Sequence, residues 1–66
     1  MKYQRITYHD GYETITTVTD SGVYEYISKW KDGVITSHYK TTLQNMGWRS
    51  LKEFLQYKKG FKKVTQ

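Results

Sequence analysis

The chain has no cysteine, no proline and no alanine among its 66 residues. Without cysteine no disulfide can brace the fold, and neither a thiolate metal site nor a cysteine nucleophile can exist. Without proline no segment is barred from a central strand. No run approaches the ~20 apolar residues that a membrane-spanning helix needs. The N-terminal MKYQRITYHDG lacks the apolar stretch of a secretory leader. These absences lead to the expectation of a soluble, intracellular, cytoplasmic protein with no membrane association.

Motifs of chemistry are also missing. The sequence has no GxSxG, HExxH, Walker or GxGxxG pattern. His9 and His38 stand apart from any metal-ligand spacing, and the carboxylates lie mainly at turns. Ser28, Ser37 and Ser50 have no matched base in sequence. The expectation is a non-enzymatic protein without cofactor or metal.

Acidic residues are few, six against eleven Lys and Arg, for a net charge of +5. The excess is local. The segment from Asn45 to Val64 holds Arg49, Lys52, Lys58, Lys59, Lys62 and Lys63 against Glu53 alone. Elsewhere Lys2, Arg5, Lys29, Lys31 and Lys40 are balanced by Asp10, Glu13, Asp20, Glu25 and Asp32. Tyrosine occurs seven times. Its flat apolar ring and polar tip suit half-exposed sheet faces and binding surfaces. The richness in Lys, Tyr, Thr and Ile is that of an AT-rich genome, such as phages and mobile elements carry.

Turn chemistry recurs at Asp10-Gly11, Asp20-Ser21-Gly22 and Asp32-Gly33. Each is a hairpin signal, because glycine tolerates positive φ and Asp bonds its own backbone. The intervening segments are rich in β-branched and aromatic residues. They predict strands over about 2–9, 12–19, 23–31 and 34–42, an antiparallel meander. Ser50-Leu51-Lys52-Glu53 has the form of a capping box, so a helix is predicted over about 51–59. Gly60 would sit just past its end, with Lys58 and Lys59 in the last turn, where the helix dipole favours cations. Leu51, Phe54 and Leu55 form its apolar stripe, joined by Trp48, and Phe61 would fold back on Leu55. Residues 62–66 are expected to fray. The predicted fold is a single small α+β domain, ββββα, with one C-terminal helix packed on one face of the sheet.

One helix covers one side of a sheet, and alternation along the strands offers two solutions. The preferred one places Ile6, Tyr8, Tyr24, Tyr26, Trp30, Ile35 and Tyr39 under the helix. It leaves Arg5, Lys29, Lys31, His38 and Lys40 on a basic open face. The other buries Val23, Ile27 and Val34 and exposes an aromatic platform for stacking. Ile15 and Val18 have opposite parity, which points to a bulge or to burial on both sides.

The ending GWRSLKEFL, with a Trp shortly before an LKE helix, follows a strand meander. In residues 23–59 this layout resembles that of the positive-cofactor-like single-strand DNA binders. The resemblance implies a dimer that pairs its helices through Leu51 and Leu55, and dimerisation also suits so small a core.

Two functions follow as expectations. The first is binding of DNA or RNA, single-stranded or sequence-tolerant. Arg49, Lys52, Lys58, Lys59, Lys62 and Lys63 would track phosphates, extended by Arg5, Lys29, Lys31 and Lys40, with Trp30 as the foremost contact residue. Against it stands a plain solvated face, since +5 is an ordinary charge for solubility. The second is a phage or mobile-element inhibitor that binds a host protein through an edge strand or a rim of tyrosines.

Overall fold

The structure, a computed structural model, describes residues 1–64. Four strands follow one another as an antiparallel meander: β1 (Lys2–Tyr8), β2 (Tyr12–Thr19), β3 (Val23–Trp30) and β4 (Ile35–Thr42). The helix α1 (Leu51–Tyr57) and a short strand β5 (Lys62–Val64) complete the chain. The sheet order is β4-β3-β2-β1-β5. The α+β, ββββα architecture is therefore present, with a fifth strand that the sequence did not announce.

The C-terminal segment departs from expectation. The helix ends at Tyr57, because Lys58 turns extended (φ −100°, ψ 118°) while its N–H still donates to the Phe54 carbonyl. No basic residue lies in the last turn, and Gly60 (φ 90°) belongs to the following loop. The early exit brings Phe61 onto the Phe54 ring, with centroids 5.2 Å apart. It also lays Lys62–Val64 antiparallel to β1, with Lys2 opposite Val64 and Gln4 opposite Lys62. An otherwise open edge is thereby covered, a gain in backbone hydrogen bonds that a longer helix would forfeit. Of the tail expected to fray, residues 62–64 are strand; residues 65 and 66 lie outside the described residues.

The helix start follows the sequence closely. Ser50 is extended (φ −158°, ψ 163°), and its Oγ accepts from the Glu53 N–H at 3.1 Å. The reciprocal contact is displaced by one residue: Glu53 Oε1 accepts from the N–H of Arg49 at 3.0 Å.

Register decides the faces. Tyr3, Arg5 and Thr7 of β1 lie opposite Val18, Thr16 and Thr14 of β2. These continue into Tyr24, Tyr26 and Ser28 of β3, and then into Thr41, Tyr39 and Ser37 of β4. This is the helix side, since Val18 is buried with Leu43 and Phe54, and Tyr24 meets the Phe54 ring edge-on at 6.0 Å. Trp48 also meets Phe54 edge-on, at 5.4 Å, and Leu51, Leu55 and Phe61 pack on the same cluster. Edge-to-face aromatic pairs add to the burial of each ring.

The preferred assignment is thus half right. Tyr24, Tyr26, Trp30 and Tyr39 are on the helix side, but only Tyr24 packs against the core cluster. Ile6 and Ile15 are opposite one another on the far side of the sheet, next to Ile27. Tyr8, opposite Glu13, shares that side. Ile35 joins them because an irregularity between Ser28 and Lys29 shifts the β3–β4 register and sets Ile35 against Lys29. Val18 and Ile15 therefore serve opposite faces, and β2 pairs without a bulge on either side.

Candidate functional site

A helix of seven residues is only about 10 Å long. The strands it lies across run to eight residues, roughly 26 Å. The helix caps the end of the sheet near Val18 and leaves the rest of the same face uncovered. That remainder is a shallow cavity of about 340 Å³. Its floor is hydroxyl-bearing: Thr7, Thr14, Thr16 and Ser28 line it. Thr14 Oγ1 and Ser28 Oγ share a hydrogen bond of 2.9 Å, and His9 Nε2 lies 3.1 Å from the same Thr14 oxygen.

Aromatic rings border this floor. Tyr26 and Tyr39 sit across β3 and β4 with centroids 5.7 Å apart. At the other end His9 stacks on Tyr12 (4.3 Å, 16°), and Tyr12 meets Trp30 edge-on at 5.4 Å. Trp30 rests against the β1–β2 turn. A Cβ on Gly11 (φ 88°) would come within 3.1 Å of its ring, so the ring is seated on bare backbone. Trp30 and Tyr39 remain 45% and 49% exposed, enough to offer ring surface to a ligand.

Electrostatics separate the two faces of the sheet. Both strand carboxylates, Glu13 and Glu25, lie on the far face, opposite Lys29 and Lys40 respectively. Among the described residues no carboxylate lines the shelf, and the one fixed charge on it is Arg5. The remaining acidic residues sit in turns (Asp10, Asp20, Asp32) or in the helix (Glu53). The Glu25 carboxyl is held below the usual glutamate range, first by its hydrogen bond with His38 (2.6 Å).

The expected basic open face is corrected in composition. Arg5 belongs to the helix side, where its Nη1 donates to the Lys59 carbonyl at 3.1 Å and its guanidinium lies 4.7 Å from the Phe61 ring centroid. It ties the C-terminal segment to the sheet, and its buried Nε has no partner among the described residues. Lys29, His38 and Lys40 are on the far face as expected, but they alternate there with Glu13 and Glu25. Lys31 is exposed in the β3–β4 turn. Of the six C-terminal cations only Lys52 lies within α1; Arg49 precedes it, Lys58 and Lys59 follow it, and Lys62 and Lys63 are on β5. All six are exposed. Lys63 pairs with Tyr3 and so faces the helix side, whereas Lys62 pairs with Gln4 and faces away.

Sequence reasoning placed Trp30 at the sheet rim but did not find Thr7, Tyr12, Thr14 or Ser28. Their signal was the alternation itself: hydroxyl residues share parity with the tyrosines on β2 and β3. A wider crevice, about 710 Å³ between the β2–β3 turn and the helix start, has the Asp20 carboxylate on its wall. Among the described residues no three His, Asp or Glu side chains are grouped to hold a metal ion. No helix of the described chain is long and apolar enough to cross a membrane. No family model, curated protein or solved structure matches the chain.

Proposed function

We propose that this protein binds single-stranded nucleic acid, with little sequence preference, across the uncovered helix-side shelf. One observation carries the reading: the exposed rings of Trp30 and Tyr39 border a hydroxyl-bearing floor, in which Thr16 and Ser28 are buried, on a sheet surface that no carboxylate of the described residues shares. Bases stack on Tyr26, Tyr39 and Trp30, as any base can stack on an aromatic side chain. Phosphates are met by the cations of the same side and its border, Arg5, Lys59 and Lys63, with Lys31 and Lys58 close by in sequence. Sequence tolerance follows because stacking and charge do not read base edges.

Fluorescence anisotropy with a labelled single-stranded oligonucleotide tests it. With about four phosphates neutralised, log affinity falls against log salt with a slope of roughly −3. Tyr39→Ala and Trp30→Ala each weaken binding by roughly 5- to 150-fold, corresponding to ~1–3 kcal/mol per stacked base, without loss of the folded circular dichroism spectrum. No binding at about 50 mM salt, where phosphate contacts are strongest, rejects the reading.

A second reading, a host-protein inhibitor, is favoured by the β4 edge. Every β4 residue except Thr41 is exposed. The Leu43 N–H donates to Gly22, so by antiparallel alternation Thr41, Tyr39 and Ser37 bond β3, while His38, Lys40 and Thr42 turn their N–H groups outward. An added strand from a partner would use those groups. His38→Pro removes one of them without touching the β3 ladder. A protein captured equally well by this variant is not bound by strand addition.

A further inference from the structure

The far face of the sheet carries a row of isoleucines that no other element of the described residues covers, Ile6 exposed and Ile15 and Ile27 half-buried. Ile6, Ile15 and Ile27 are successive cross-strand partners on β1, β2 and β3, and the row ends at His38 on β4. On one side of the row run Tyr8, Glu13 and Lys29; on the other run Gln4, Thr17 and Glu25. Among the described residues the buried apolar core is Val18, Leu43 and Phe54, all on the opposite side. A domain this small rarely leaves a row of branched apolar side chains in water without a partner for it.

We infer that this face is a dimer interface whose occupant is a second copy of the chain, stacked sheet on sheet about a two-fold axis along the isoleucine row. Such an axis exchanges the two flanking rows. Each isoleucine meets its own equivalent, Lys29 lies over the partner's Glu25, and Glu25 lies over the partner's Lys29. Lys29 and Glu25 are thus complementary across the axis, which an unrelated partner would not require, while Glu13 meets the partner's Thr17 and Lys40 the partner's Ile35. Lys29 and Glu25 share one face of β3 four residues apart, about 13 Å along a strand. They do not pair within one chain; the two-fold pairs them twice between chains. Size is adequate too. A standard interface removes on the order of 800 Å² from each partner, about one broad side of a molecule measuring 36 × 22 × 22 Å. The interface leaves the aromatic shelf of each copy facing outward, so it stands independently of the nucleic-acid reading.

Sedimentation equilibrium tests the inference. At roughly 100 µM, above the micromolar dissociation constants of weak interfaces of this size, the chain sediments at twice its 7.9 kDa mass. Lys29→Glu sets like charges together twice and returns it to a monomer with an unchanged circular dichroism spectrum. Adding Glu25→Lys to that variant restores the dimer. In the unaltered protein, a carbodiimide links Lys29 to Glu25 between chains, read as a crosslinked peptide pair. A unaltered chain that stays at 7.9 kDa overturns the proposal. So does a dimer that survives Lys29→Glu, or one that yields no Lys29–Glu25 link.

Discussion

Single side chains in this protein do work that their residue type foretells only in part. Ser50 is the plainest case: its Oγ caps the helix at 3.1 Å from the Glu53 N–H. Replacing Ser50 with Ala lowers stability by ~1 kcal/mol through the lost cap, visible as a lower denaturation midpoint in urea. Arg5 is the opposite case. A cation expected in solvent instead packs on Phe61 and bonds a carbonyl 54 positions away. Glu25 gives the protein a pH dependence. Its folded pKa is lowered, chiefly by the His38 hydrogen bond, so its stabilising effect is present above the unfolded glutamate pKa. That effect is lost as pH falls through the lowered folded value. In Glu25→Gln the loss of stability on acidification is smaller than in the unaltered chain, measured by urea denaturation across the range from about pH 5 to about pH 3.

At the level of elements, one aromatic ring joins helix, sheet and tail. Phe54 touches Tyr24 of β3, Trp48 before the helix and Phe61 after it. Phe54→Ala costs ~3–5 kcal/mol, as truncation of a buried ring does. Since a domain of this size has little stability to spare, the thermal transition loses its cooperativity rather than merely shifting. The hairpins and the helix start were legible because turn glycines and a capping serine act on their immediate neighbours. The helix end was not. Nothing near Tyr57 forbids another turn; the chain leaves the helix to seat Phe61 and to pair Lys62–Val64 with β1, nearly 60 residues back in sequence.

For the whole molecule, the division of charge between two sheet faces matters more than the net value. Lys40 lies opposite Glu25 on the far face, whereas Lys63 lies opposite Tyr3 on the helix side. Lys63→Glu therefore weakens oligonucleotide binding and reduces the salt slope by about 0.7, the share of one phosphate on a single strand. Lys40→Glu leaves both unchanged. Equal effects of the two substitutions in the anisotropy titration would place the nucleic acid on some surface other than the shelf. The shelf was only partly legible in the sequence: Tyr24, Tyr26 and Trp30 offer a stacking platform only in the solution that was not preferred, and the carboxylate-free floor beside them was not foreseen. Its make-up depends on which strand parities share a side, and a one-residue slip would exchange every member.

The sequence alone determined the four strands, their hairpin turns, the helix start and the apolar stripe around Phe54, because those depend on glycine dihedrals, alternation and one cap; the burial of Val18 and Leu43 came only with the tertiary fold. Only the tertiary structure decided which parity faces the helix, how the β3–β4 irregularity moves Ile35 to the far side, and where β5 docks. These outcomes rest on cross-strand register and on contacts between residues far apart in the chain, and no local pattern encodes such contacts.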